Sequence, residues 1–336
     1  MTLLFRLARM LVPLATAAAF VVVFVLFAIW LWWRAEPDDD QRSRGVNALW
    51  AAHTWAGDPH SDAEYRAFAD LLRDHEISDV FVHAGPLERD GRVPGGRVAH
   101  AQAFTEAMRR HAPEIRVQAY LGQIEERGGG PLDLDDPAVR DGIVWTAGEM
   151  LALGFEGIHY DIEPIYPGDE SFIELLDRTR ALTGARGAVL SVALEQLEFV
   201  PSARRAIRLL LPGYHDPTED FLRDVARHVD QVAIMTYDSG LPAASLFGAH
   251  MAWQTERVID AVGDDVTVFM GVPTYDGGSR RFNARAENIR TGVRGVRKGL
   301  GRLDDGRTRN VGIAIFAEWT TTPDEWEGFA RDWLAR

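Results

Sequence analysis

The stretch Gly154-Phe155-Glu156-Gly157-Ile158-His159-Tyr160-Asp161-Ile162-Glu163-Pro164 follows a helical run and reads as a short buried strand that ends in acid. Strand side chains alternate faces, so His159, Asp161 and Glu163 share one face while Ile158, Tyr160 and Ile162 share the other. Three polar groups on one face of an otherwise apolar strand are costly to bury unless something uses them. In an eight-stranded α/β barrel, the C-terminal end of a strand is where such groups are used. The stretch therefore predicts a barrel, provided that strand–helix units of the right number surround it.

They do. After Gly45 short apolar runs alternate with longer amphipathic ones. Strands are expected at 46–53, 77–83, 115–121, in the opening stretch, and at 188–194, 231–236, 266–272 and 311–316. Helices are expected after Ser61 and at 102–111, 138–153, 172–182, 219–229, 253–262, 283–298 and 323–334. Strands alternating with helices imply a parallel sheet, and eight units at this length fit a closed (β/α)8 TIM barrel over residues 46–336. An open doubly wound sheet would place a glycine-rich nucleotide fingerprint after its first strand. Here that strand runs into Ala52-His53-Thr54-Trp55-Ala56-Gly57, which is no such fingerprint.

The chain has 336 residues, a net charge of −14 and no cysteine. The absence of cysteine excludes disulfides, thiolate zinc sites and cysteine nucleophiles. With no basic stripe to neutralise phosphates, nucleic acid is not expected as a partner. From Met10 to Trp33 no residue is charged, a run of 24, which as a helix spans roughly 36 Å, enough to cross a hydrocarbon core. Trp30, Trp32 and Trp33 crowd its far end, as in an interfacial aromatic belt. The apolar core is too long for a cleaved signal peptide, and no small-residue cleavage site follows it. Arg6 and Arg9 before the span, against Asp38, Asp39 and Asp40 after it, put the N-terminus in the cytoplasm. The expected organisation is a cytoplasmic segment (1–9), a transmembrane signal-anchor helix (10–33), a polar linker (34–45) and an extracytoplasmic barrel (46–336), a single-pass protein of the cell membrane.

In a barrel all strand C-termini share one face. That face should gather His53, His83, Tyr120, Gln123, His159, Asp161, Glu163, Glu195, Gln196, Tyr237, Asp238, Tyr275, Asp276, Glu318 and Trp319. Acids and amides suit sugar hydroxyls, and aromatic faces suit sugar rings. His53, His83 and His159 match no metal-ligand spacing, so neither a metal nor a cofactor is expected.

The fourth strand resembles the signature of glycoside hydrolase family 18, the chitinases and their peptidoglycan-acting relatives. That signature, Phe-Asp-Gly-hydrophobic-Asp-hydrophobic-Asp-aromatic-Glu, stands here as Phe155-Glu156-Gly157-Ile158-His159-Tyr160-Asp161-Ile162-Glu163. Met235-Thr236-Tyr237-Asp238 is similar to the family's Met-x-Tyr-Asp, and Gly271-Val272-Pro273-Thr274-Tyr275 to its Gly-hydrophobic-Pro-x-Tyr. Trp319 matches the tryptophan that floors the pocket for the reacting sugar. The resemblance implies hydrolysis of an N-acetylhexosamine glycan in which the substrate's own acetamido oxygen attacks the anomeric carbon. By that resemblance Glu163 is the general acid, Asp161 orients the acetamido group and Tyr237 hydrogen-bonds its oxygen. Asp238 assists, Trp319 stacks under the ring, and His53, His83, His159, Glu195 and Tyr275 line the substrate site.

Residue 159 departs from the family pattern, where an aspartate supports the next acid; a histidine can take that place as a hydrogen-bond donor. No sizeable insertion separates the seventh and eighth strands, which implies a shallow groove. Two other readings stay open. One is a two-carboxylate glycosidase pairing Glu163 with Glu195, Asp238 or Asp276. The other is an inactive barrel that binds glycans.

Overall fold

The computed structural model describes residues 2–38, 40–128, 130–198, 217–277, 282–308 and 310–334. Eight parallel strands close into a barrel in sequence order: β1 (Ala48–Ala51), β2 (Asp79–His83), β3 (Arg116–Ile124), β4 (Gly157–Glu163), β5 (Val189–Glu195), β6 (Gln231–Met235), β7 (Thr267–Pro273) and β8 (Val311–Phe316). The last strand pairs back to the first through Ala48 opposite Ala314 and Leu49 opposite Ile315. Each strand falls on an expected run, and the (β/α)8 architecture is the one the alternation predicts.

Ten helices are named here: α1 (Thr2–Arg34), α2 (Thr54–Gly57), α3 (Asp62–Asp74), α4 (Ala101–His111), α5 (Pro137–Ala152), α6 (Glu170–Gly184), α7 (Glu219–Ala226), α8 (Ala244–Val262), α9 (Ile289–Leu300) and α10 (Pro323–Phe329). Local chemistry starts most of them. Ser61 with Glu64 and Thr322 with Glu325 form capping boxes, while Asp136, Asp169 and Thr218 cap α5, α6 and α7.

Two starts differ from expectation. Helix α9 begins at Ile289 rather than at Asn283, because Asn288 accepts the amide of Thr291 and so supplies the cap. Helix α8 begins at Ala244 rather than at Trp253. Its cap, Ala243, makes no side-chain bond, and the helix is held instead by burying Phe247, His250 and Met251. Among the described residues no strand intervenes between β7 and β8.

The lumen is layered. At its floor Gln118 donates to Asp79 at 2.8 Å and to Gln231 at 2.7 Å. Above lie the large rings of Trp50, Phe81 and Phe269, set among the small side chains of Ala48, Ala193, Ala233 and Ala314. Large residues against small ones fill a lumen without voids. Each such ring contributes about 1.5–3 kcal/mol by leaving water. Outside the barrel, α1 is the one described helix long and apolar enough to cross a membrane, with a mean hydropathy of 2.4 over its apolar window; an N-terminal signal sequence has the same character.

Candidate active site

Strand β4 carries Asp161 and Glu163 to the mouth on the same side of the pleat. Asp161 is buried, hydrogen-bonded to Glu163 and to the hydroxyl of Tyr120. Its Oδ1 atom, also buried, accepts no hydrogen bond among the described residues. Burial raises the Asp161 carboxyl, and the charge of Glu195 adds to the rise. Burial also drives Glu163 strongly upward, followed by the charge of Asp161, the hydrogen bond to it, and the charges of Glu195 and Asp238. Two carboxyls this close share a proton, and the pair settles with Glu163 protonated and Asp161 as the acceptor. A carboxylic acid that keeps its proton at neutral pH is what a general acid requires.

The wall opposite is aromatic. Tyr237 follows β6 and stacks on Phe316, ring centres 5.4 Å apart. Gly271 makes that possible, since a Cβ there would come within 3.2 Å of the Tyr237 ring and 2.7 Å of the Ile234 carbonyl. Burial holds the Tyr237 hydroxyl far above the ordinary phenol range, and the charges of Asp161 and Glu163 add to the rise. The phenol therefore stays a donor. Asp238 adopts a left-handed backbone (φ 58°), a conformation that aspartate tolerates better than most side chains. It accepts from the Tyr275 hydroxyl at 3.1 Å. Behind it Glu287 accepts from Ser239 Oγ at 2.9 Å.

His159 corrects an expectation. Its ring is fully buried one layer beneath Asp161 and meets the Tyr120 ring edge to face, ring centres 5.8 Å apart. Trp50 Nε1 donates to its Nε2 at 3.2 Å, so the ring proton sits on Nδ1, which donates to Ser191 Oγ at 2.8 Å. Phe81 stacks face to face on it at 3.7 Å. Burial lowers its pKa to about 3, so the ring is neutral. It is a strut in the lumen rather than a substrate ligand, and it reaches Asp161 only through the Tyr120 ring packed on it. Tyr120, noticed in sequence only as a strand-end residue, makes the hydrogen bond to Asp161 instead. The parity of β3 contained the signal, since Tyr120 lies two residues beyond the inward-facing Gln118.

The remaining residues divide. His53 donates from Nδ1 to the His83 carbonyl at 3.1 Å, and the two rings meet edge to face at 5.8 Å. Burial, followed by the charges of His53 and Arg97, lowers His83 to about 4, so it too is neutral. Trp319 is 51% exposed and touches Phe316 by its edge, leaving a broad indole surface at the mouth. Glu318 is structural: its Oε2 accepts from the Ala52 amide and from Trp55 Nε1. Gln196 Oε1 accepts from His250 Nε2 at 2.7 Å, and Gln123 donates to the Leu87 carbonyl at 2.6 Å. Asp276 is exposed beyond Tyr275, whereas Glu195 and Asp238 face Glu163. Among the described residues no cluster of His, Asp or Glu is arranged to hold a metal ion.

No protein-family model and no curated protein sequence matches the chain. Solved structures do. The spore cortex-lytic enzyme SleL of Bacillus megaterium superposes with a TM-score of 0.57 at 12% identity, over 87% of this chain and 75% of that one. A chitinase of Chromobacterium violaceum gives 0.55 at 15% identity, over 87% and 99%. The Group IV chitinase of Ostrinia furnacalis gives 0.55 at 14%, over 87% and 100%. The barrel is chitinase-like. At such identities the likeness speaks for the fold, and the chemistry has to come from this chain's own mouth. A chitinase-like barrel is built from the same eight units whether or not residue 159 is an acid, because that position faces the packed lumen. The substitution to histidine is absorbed locally by Trp50, Ser191 and Phe81.

Proposed function

We propose that the chain is a glycoside hydrolase, a divergent relative of family 18, that cleaves a glycan containing N-acetylhexosamine by substrate-assisted, retaining hydrolysis. The observation that carries this reading is the buried, unsatisfied Oδ1 of Asp161 beside a protonated Glu163. Buried acceptors nearly always have donors. An acetamido N–H would supply the missing one and turn the acetamido oxygen toward the anomeric carbon.

In that arrangement Glu163 gives its proton to the glycosidic oxygen as the bond from the anomeric carbon breaks. The acetamido oxygen forms a new bond to the same carbon, from the opposite face. Asp161 accepts the amide N–H, and its negative charge offsets the positive charge that spreads over the ring so formed. Tyr237 donates to the acetamido oxygen, and Trp319 offers its exposed face to the sugar. Water then opens the intermediate and returns a proton to Glu163, so configuration is retained. The His159 strut does not enter these steps, because Tyr120 holds Asp161.

The apolar helix α1 supports membrane anchoring, with the barrel outside the cytoplasm. Chitin-like and peptidoglycan-like glycans both present the required acetamido group. The test is incubation of the protein with chitin oligomers and with peptidoglycan fragments, beside a Glu163→Gln variant. Release of reducing ends is expected, falling about 10²–10⁴-fold in the variant. Equal release by both proteins would remove Glu163 as the acid, and binding without turnover would leave a glycan-binding barrel.

A further inference from the structure

The last turn of α1 is seated in the barrel wall. Trp33 fills the space over Gly248 of α8, where a Cβ would collide with the indole. Arg294 of α9 covers the same ring, its guanidinium carbon 4.9 Å from the centre, while Lys298 and Arg302 cover Trp32 at 4.5 and 4.8 Å.

The carbonyls that end a helix lack intrahelical donors. Here Lys298 Nζ donates to the Trp32 carbonyl at 2.9 Å, and Arg294 to those of Trp33 at 2.8 Å and Ala35 at 3.1 Å. These cations also oppose the negative end of the helix dipole. Past the helix, Arg297 donates to the carbonyls of Asp38 at 2.8 Å and Gln41 at 2.9 Å. Residues 34–45, expected to act as a tether, are therefore partly fastened down.

The contacts on the barrel run from Gly248, in the first half of α8, to Arg294 and Lys298 within α9, with Arg302 in the turn past its end. That places the seat on the flank of the barrel and not at its base. Upstream the helix leaves the wall: Phe20 to Phe27, Trp30 and Leu31 are exposed apolar residues that no other described element covers. Trp32 and Trp33 occupy the end of the span, where tryptophan sits at headgroup level.

We infer that the barrel lies against the bilayer on its α8–α9 wall, so that the mouth opens sideways along the membrane surface. This rests on the reading of α1 as a membrane span. The occupant of the wall is the surface of the bilayer that α1 itself crosses. Lys298, Arg294 and Arg302 meet it at the level where α1 enters.

The absence of cysteine permits a clean test on the full chain. Single cysteines replace Arg290 on α9, 75% exposed, and Asp141 on α5, 68% exposed. Helix α5 connects β3 to β4 and α9 connects β7 to β8, so the two positions lie on opposite walls. Each variant carries a fluorophore, in nanodiscs whose lipids bear nitroxide headgroups. Several-fold stronger quenching is expected at Arg290→Cys than at Asp141→Cys, and a Trp33→Ala, Arg294→Ala background should bring the two together. Equal quenching at both positions in the parent chain, or stronger quenching at Asp141→Cys, would overturn the orientation. A ratio unmoved by the double substitution would overturn the seat as its cause. Extraction of the chain from vesicles by alkaline carbonate would sink the anchor itself, and the orientation with it; neither result bears on glycan cleavage.

Discussion

Two buried carboxylates stand at opposite ends of one lumen and are treated in opposite ways. Asp79, at the floor, accepts from Arg116 at 2.8 Å, Gln118 at 2.8 Å, Gln231 at 3.1 Å and Ser78 at 2.8 Å. Asp161, at the mouth, keeps a buried oxygen with no donor and has Glu163 and Glu195 for neighbours. The floor acid is surrounded by hydrogen-bond donors that tie β2, β3 and β6 together. The mouth acid is surrounded by groups that raise its energy, which is tolerable when a ligand supplies what the protein withholds. Equal burial therefore serves different ends, and the partner list separates them.

Substitutions can break or sharpen that contrast. The largest effect is expected for Asp161→Asn, which should lower glycan cleavage about 10²–10³-fold, the usual scale for losing one charge-stabilising group. Its melting temperature should stay level or rise, because a carboxylate is removed from a crowded site. A melting temperature that fell sharply would mean that the mouth is also built for stability.

Asp79→Ala should do the reverse. It strands the donors of Gln118, Gln231 and Arg116 at a cost of about 3 kcal/mol, read by denaturant unfolding, while turnover at low temperature persists. Equal loss of stability in the two variants would erase the distinction between floor and mouth.

The smallest effect sits beside the mouth. Burial pushes the Glu125 carboxyl up to about 7 from 4.5, Asp169, Asp135 and Asp133 add to the rise, and Arg127 opposes it. The folded chain thus holds this proton to a higher pH than the unfolded chain does. Its contribution to stability declines as pH rises from 4.5 toward 7. Glu125→Gln should accordingly raise the melting temperature by a degree or so more at about pH 8 than at about pH 5. A gain of the same size at both would assign it to packing.

Strand alternation alone put Asp161 and Glu163 on one face, and the rhythm of apolar runs located all eight strands. What stayed hidden depends on contacts across the lumen. His159 meets Trp50 from β1 and Ser191 from β5, and no local pattern says which inward residues share a level in a closed, staggered barrel. Tyr120 was visible as a strand-end residue, but its bond to Asp161 follows from the same stagger. The early start of α8 went unseen because Ala243 offers no capping chemistry. Gly248 lies ahead of the helix expected at 253–262, and its use appears only when Trp33, from far upstream, lies over it.

The seat of α1 leaves a chemical signature of its own. Lys298 is the chain's single lysine. Burial lowers its pKa, with Arg294 and Arg302 adding to the effect and Glu36 and Asp38 opposing it. In place, this ammonium is held under the Trp32 indole and donates to the Trp32 carbonyl. Apart from the α-amino group, the protein thus offers acylating reagents one amine. Its rate of modification is a clock for how often α1 lifts from the wall.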